Sequence, residues 1–317
     1  MRVPFGNIRA AVSSPGNAIA RAPREQIGLP VQRPTSWWLD ILKRRAERMY
    51  EEKLDLSQPV TFASEEEKRA CIAFFNAAYR AEESGLAGAH KLAEEVREWD
   101  PELAECLVLY GNEEGWHREL LEEFLTHIGG QVNPMGWMVS GFYRTYGRAE
   151  RMETVMLTNL MFETIGATTY RLSLRQVKQP LARQVLRILT RDESFHVPLN
   201  VHFIRSMLAR HPGRSRLRLK FIYQVVFHSL VAMSYGSRKV AQGFDHVTPK
   251  ELTTAYIENL GRLFAHESDL DFRPPLHLLR AYGITDERLA ASDGPSAISV
   301  EAAEKAAWRE EVEVRAL

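Results

Sequence analysis

The stretch that decides the fold is Glu163–His196, ETIGATTYRLSLRQVKQPLARQVLRILTRDESFH, because residues 83–117, ESGLAGAHKLAEEVREWDPELAECLVLYGNEEGWH, repeat its plan. Glu83 lies over Glu163, His90 over Tyr170, Pro101 over Pro180, Glu114 over Glu193 and His117 over His196, with one residue of gap before the proline. Each half reads as a helix bearing a lone Glu, a proline turn, and a second helix bearing Glu-x-x-His. A repeat of this kind predicts two helix pairs related by a pseudo-two-fold axis.

Outward from this repeat, nearly everything after Thr35 reads as helix. A first segment covers about 36–52. A second opens on the capping box Ser64–Glu67 and runs to about Trp99. Asp100 caps a helix with Pro101 at its first position, ending at Gly129-Gly130. Further helices cover about 150–178, 180–211 and 217–240, and one behind the capping box Thr248–Glu251 runs to about His266. No segment alternates as a half-buried strand does. The fold class is all-α. Short turns join the members of each pair, whereas residues 131–149 are long enough to run the length of a bundle, which predicts a four-helix bundle with one crossover. Residues 1–36, with five prolines, five arginines and a single acid, read as an extended arm, and 271–317 as a C-terminal extension.

The spacing carries chemistry. Positions i and i+3 share a helix face, so Glu114 with His117, and Glu193 with His196, each present a carboxylate beside an imidazole. Adding Glu83 and Glu163 gives four carboxylates and two imidazoles, enough negative charge to offset two divalent cations. Oxygen-rich sites with one imidazole per metal suit iron or manganese rather than thiolate-rich zinc. Glu163 lies in the run 155–170, otherwise apolar or small apart from Asn159 and threonines, where an unpaired buried carboxylate would be costly. On the second helix, Ile72, Phe75, Tyr79 and Leu86 allow either Glu82 or Glu83 to face inward; the repeat picks Glu83. His90, Tyr170 and His228 read as core residues that could approach the site, and His202 as lying off the metal face.

At these residues, over about 64–210, the sequence resembles the ferritin-like di-iron carboxylate superfamily. The resemblance implies a ferritin-like bundle holding two iron ions, or manganese, with Glu83 and Glu163 as lone-helix ligands and Glu114, His117, Glu193 and His196 as paired ones. It implies that Asp192 supports His117 and that Glu113 supports His196, fixing each imidazole's orientation. It further implies an oxidoreductase that activates O2 to hydroxylate, N-oxygenate or desaturate a small or carrier-bound substrate, with Glu83 and Glu163 as catalytic carboxylates and an external electron donor. The alternative is a ferroxidase or peroxide scavenger without an organic substrate. Radical-generating reductase subunits of the superfamily carry a tyrosine one turn after the first paired histidine, where this chain has Leu121. Small residues near the lone acids, Gly85, Ala87, Gly88, Gly166 and Ala167, leave room for O2 or a substrate. Thr164 or Thr168 would have to supply the threonine that several members use to handle O2, and Pro198 should bend the fourth helix beside the site.

Composition sets the remaining bounds. The 317 residues carry 41 basic and 41 acidic side chains, so net charge gives no reason to expect nucleic acid or an anionic membrane as partner. Two cysteines lack disulfide or zinc spacing, which makes a cytoplasmic setting the expectation. Charge is uneven, with 13 acids and 3 bases in 82–123 but 12 bases and 2 acids in 171–220. Arg214, Arg216, Arg218 and Lys220 form the candidate docking stretch for an acidic carrier. A homodimer stays open.

Overall fold

The structure, a computed structural model, describes residues 33–134, 140–141, 151–210 and 214–290. The expected arm therefore falls almost wholly outside the described residues, as do most of the connection 131–149 and the end of the C-terminal extension.

Among the described residues there is no strand. The helices are α1 (Thr35–Arg48), α2 (Glu65–Val96), α3 (Pro101–His127), α4 (Met152–Gln176), α5 (Pro180–Arg210), α6 (Arg214–Asp245), α7 (Pro249–His266) and the short α8 (Leu276–Ala281) and α9 (Asp286–Ala290). Their ends follow local chemistry. Ser64 accepts from the Glu67 N–H at 3.1 Å, Asp100 accepts from Leu103 N–H at 3.0 Å, and Thr248 with Glu251 closes a reciprocal capping box. Gly129 ends α3 with a φ of 73°, a conformation that favours glycine.

Four helices enclose the repeat. α2 packs along α3 and α4 along α5, and the two pairs meet through α2 with α4 and α3 with α5. α1 lies on α3, α6 covers α2 and α4, and α7 covers α4 and α6. Phe272, Leu279, Ile284 and Leu289 share the core that contains Tyr223, Leu260 and Phe264, so the described part of the expected extension is continuous with the body.

The apolar core forms two layers. One contains Leu92 and Val96 of α2, Leu107 and Tyr110 of α3, Leu157 and Leu160 of α4, and Phe195 and Phe203 of α5. The other contains Phe74 and Phe75 of α2, Leu121 and Phe124 of α3, Tyr170 and Leu174 of α4, and Leu186 and Leu189 of α5. On all four helices the Glu and His positions lie near the change from one layer to the other. No described helix is long and apolar enough to cross a membrane.

Candidate metal centre

Six side chains converge between the layers: Glu82 of α2, Glu114 and His117 of α3, Glu163 of α4, and Glu193 and His196 of α5. Each is at most 7% exposed. His196 Nδ1 lies 2.9 Å from Glu114 Oε1 and 3.5 Å from both Glu163 Oε2 and Glu193 Oε2; His117 Nδ1 lies 3.5 Å from Glu82 Oε2. Three overlapping trios place potential ligand atoms within 4.8 Å of one another: Glu114, His117 and His196; Glu82, His117 and Glu193; Glu163, Glu193 and His196.

The expectation of Glu83 is corrected here. Its side chain is 41% exposed and pairs with Arg80 Nη1 at 2.7 Å, whereas Glu82 is 2% exposed and faces His117. The physical reason is the turn. Pro101 follows Glu82 by nineteen residues and Pro180 follows Glu163 by seventeen, because α2 extends one residue further past its acid and the connection to α3 is one residue longer. A repeat aligned with one gap is therefore one residue out of register on α2. The same slip moves His90 outward, where it is exposed and meets Asn112 Oδ1 at 3.2 Å, and leaves Ala87 exposed.

The two acids preceding the paired glutamates hold the imidazoles across the bundle. His117 Nε2 lies 3.2 Å from Asp192 Oδ2, and His196 Nε2 lies 3.1 Å from Glu113 Oε2. Ionised carboxylates only accept, so each Nε2 carries a proton and each Nδ1 faces the cluster. Both acids share Arg45 of α1, which donates from Nε to Glu113 Oε1 at 2.7 Å and from Nη2 to Asp192 Oδ1 at 2.9 Å. Arg191 adds a second guanidinium on Asp192, with two contacts of 2.8 Å. The sequence reading missed Arg45. The signal was present, since Trp38, Ile41, Leu42 and Arg45 fall at i, i+3, i+4 and i+7, placing a cation on an apolar face.

Two phenols complete the surround. Tyr170 Oη donates to Glu82 Oε1 at 3.0 Å, and Tyr110 Oη to Glu163 Oε1 at 2.5 Å. Tyr110, one turn before Glu114, also meets the His196 ring edge-on at 4.9 Å between centroids. Thr164 and Thr168 instead donate to carbonyls of their own helix, at 2.8 and 2.7 Å. His202 bonds Thr35 Oγ1, and His228 meets Gln224 O and His277, so neither enters the cluster.

Electrostatics single out these residues as a set. Burial among the Glu163 and Glu82 charges pushes the Glu114 and Glu193 carboxyls well above the usual range. Burial also pushes Glu163 up, but the neighbouring Glu193, His196 and Tyr110 outweigh it and hold Glu163 down at about 2. For His117, burial acts downward and the carboxylates of Asp192 and Glu82 outweigh it, raising the ring to about 10. Four carboxylates this close cannot all be ionised without added cations. Protons are one way to balance them and metal ions another.

Of the buried side-chain atoms without a hydrogen-bond partner among the described residues, five lie in this cluster: Glu114 Oε1, His117 Nδ1, Glu163 Oε2, Glu193 Oε2 and His196 Nδ1. Orphaned buried polar atoms are uncommon and costly. These five are ligand-type oxygens and imidazole nitrogens gathered in one place, so the donor set fits metal ions of the oxygen-and-imidazole kind.

Beside the cluster is a cavity of about 30 Å³ between α2 and α4, lined by the four glutamates, Tyr170, Ala81, Ser84, Gly85, Asn159, Phe162 and Gly166. A Cβ on Gly85 would stand 2.9 Å from Glu114 Oε2, so glycine lets the α2 backbone approach the carboxylate. The Asn159 amide Nδ2 is buried without a partner on this wall. Of the docking stretch expected at 214–220, Arg218 is engaged by Glu153 at 2.5 Å and Lys220 by Asp271. Compared with known proteins, the chain matches no family model, no curated protein and no solved structure.

Proposed function

We propose that this chain is a di-iron oxidoreductase built on a ferritin-like bundle, acting with O2 on an organic substrate that reaches the slot between α2 and α4. The observation that carries the reading is the concentration of five unpartnered ligand-type atoms on six buried Glu and His side chains arranged in two halves. Glu82, Glu114, Glu163, Glu193, His117 and His196 would hold the metals, and manganese would suit the same donors. Ferrous ions held there would supply the electrons that reduce O2.

The chain's own residues have separable tasks. Asp192 and Glu113 fix the imidazole tautomers, and Arg45 ties those two acids together from outside the four-helix group. Tyr170 and Tyr110 restrain the two lone-helix carboxylates through one oxygen each, leaving the other oxygen of Glu163 uncommitted. Asn159 offers an unused amide donor on the wall of the slot, where it would orient a polar substrate group. The apolar layers exclude bulk water from both sides, and electrons come from an external donor.

A cavity of about 30 Å³ favours a second reading, since ligand pockets are typically about 300 Å³ or more. A space this small suits O2 or peroxide, as in a ferroxidase or peroxide-consuming iron protein. Anaerobic loading with ferrous iron should give two ions per chain, and O2 should then be consumed. Faster reoxidation or product formation with an organic candidate supports the oxygenase. Turnover of ferrous iron or peroxide that no organic compound accelerates supports the second reading, and well below two ions per folded chain removes both.

A further inference from the structure

The proposed centre consumes electrons that the described residues do not store. Cys71 and Cys106 are separate, free and buried, and burial pushes the Cys106 thiol up to about 12. An oxidoreductase of this kind must meet its reductant at a surface. The start of α5 has a basic recess of about 540 Å³ lined by Gln58, Lys178, Pro180, Arg183, Gln184 and Arg187. Three of these six are cations and none is an acid.

The charges there are available. Lys178 and Arg187 are exposed and have no carboxylate partner among the described residues. Arg183 is anchored, donating to the Leu174 and Val177 carbonyls at 2.7 and 2.8 Å, so it shapes the recess and caps α4. Of the acids close by, Asp55 turns back onto Ser57 Oγ at 2.5 Å and Gln58 Nε2 at 2.9 Å, and Glu52 pairs with Arg191 at 2.9 Å.

The recess also lies near the cluster along α5. Arg187 precedes Glu193 by six residues on one continuous helix, about 9 Å of rise. Arg191 sits one turn beyond Arg187, bonds Asp192, and Asp192 holds His117. One helical turn thus separates the basic rim from a bonded series that ends on a candidate ligand. The basic residues of α6 offer no such free set, since Arg218 and Lys220 are engaged by acids.

We propose that this recess is the docking surface for a small acidic one-electron carrier protein, an inference that rests on the di-iron reading. Two reduced carriers would each give up one electron, returning two ferric ions to the ferrous state. Complementary charge steers such encounters and makes their rate fall with ionic strength.

The probe is a strongly acidic [2Fe–2S] ferredoxin. Its oxidised form is titrated calorimetrically into the iron-loaded protein at low salt, and reduction of the iron by its reduced form is followed by stopped flow. The double variant Lys178→Glu with Arg187→Glu should weaken binding and slow ferredoxin-driven reduction by about tenfold or more, while reduction by dithionite stays unchanged. Added salt should erase the difference. The control pair Arg216→Glu with Lys239→Glu, of equal charge change, should behave as the parent. If both pairs behave alike while two irons are bound and dithionite reduces them, the docking proposal fails alone. Saturable binding of inorganic phosphate, lost in the first pair with no effect on ferredoxin, would make the recess a small-anion site and overturn it too. Less than two irons per chain would remove the di-iron reading and this proposal together.

Discussion

At Glu82 the carboxylate is buried against Tyr170 and His117, whereas its neighbour Glu83 reaches solvent and Arg80. Replacing Glu82 by Gln should therefore cut iron uptake below two per chain, and Glu83→Gln should leave it unchanged, read by metal analysis of the folded variants. The reverse pattern would restore the register drawn from the repeat. Glu114, His117, Glu193 and His196 were legible because each paired Glu lies thirteen positions after its proline and three before its His, and Glu163 because it is the only acid in the run 155–170. Glu82 was not, because the extra residues lie in α2 and its turn, which a lone Glu cannot report. Arg45 was missed because nothing near it in sequence names Glu113 or Asp192. Its role gives a second prediction. Arg45→Met should destabilise the protein by about 3–5 kcal/mol, the range for breaking a buried ion pair, and lower iron affinity through looser imidazoles. Urea unfolding of the metal-free protein separates the first effect from the second, and a loss below about 1 kcal/mol would mean that Arg191 alone satisfies Asp192.

At the scale of elements, the caps told the most. Ser64, Asp100 with Pro101, and Thr248 with Glu251 mark starts that the structure places within a residue or two of the expected ones, because each satisfies N–H groups that the helix cannot. What α1 does was illegible, since docking depends on partners distant in sequence. It rests on α5 through Trp38, stacked on the His202 ring with centroids 5.8 Å apart, and through Thr35 bonded to His202. Burial, with Arg205 adding to it, lowers the His202 ring to about 4. A depressed histidine gives stability that is fully present above the unfolded value of about 6.5 and is lost as pH falls through the window down to about 4. Lowering the pH from 7 to 4.5 should thus cost about 2–3 kcal/mol from this group. His202→Gln should be less sensitive to that change than the parent by this amount in chemical denaturation. Equal sensitivity would assign the acid loss to other groups.

For the whole molecule, neutrality is a sum of opposites. The acidic excess of α2 and α3 meets the basic excess of α4 and α5 in a bundle whose centre still holds more carboxylate than its own cations balance. Two apolar layers flank that centre, so its unbalanced charge has neither water nor distance to relieve it. Metal ions would relieve it only in the folded state, because the six donors come from four helices and scatter on unfolding. Binding that selects the native state stabilises by mass action, about 4 kcal/mol at a thousandfold excess over Kd. For a domain of this size that is a rise of about 8–16 °C in Tm. Scanning calorimetry of chelator-treated protein, with and without anaerobic ferrous iron, should show this rise in the parent and lose most of it in Glu82→Gln. Magnesium, a poor match to imidazole donors, should not reproduce it. An equal rise with magnesium, or none with iron or manganese, would make the six residues a proton-balanced structural cluster instead of a metal centre.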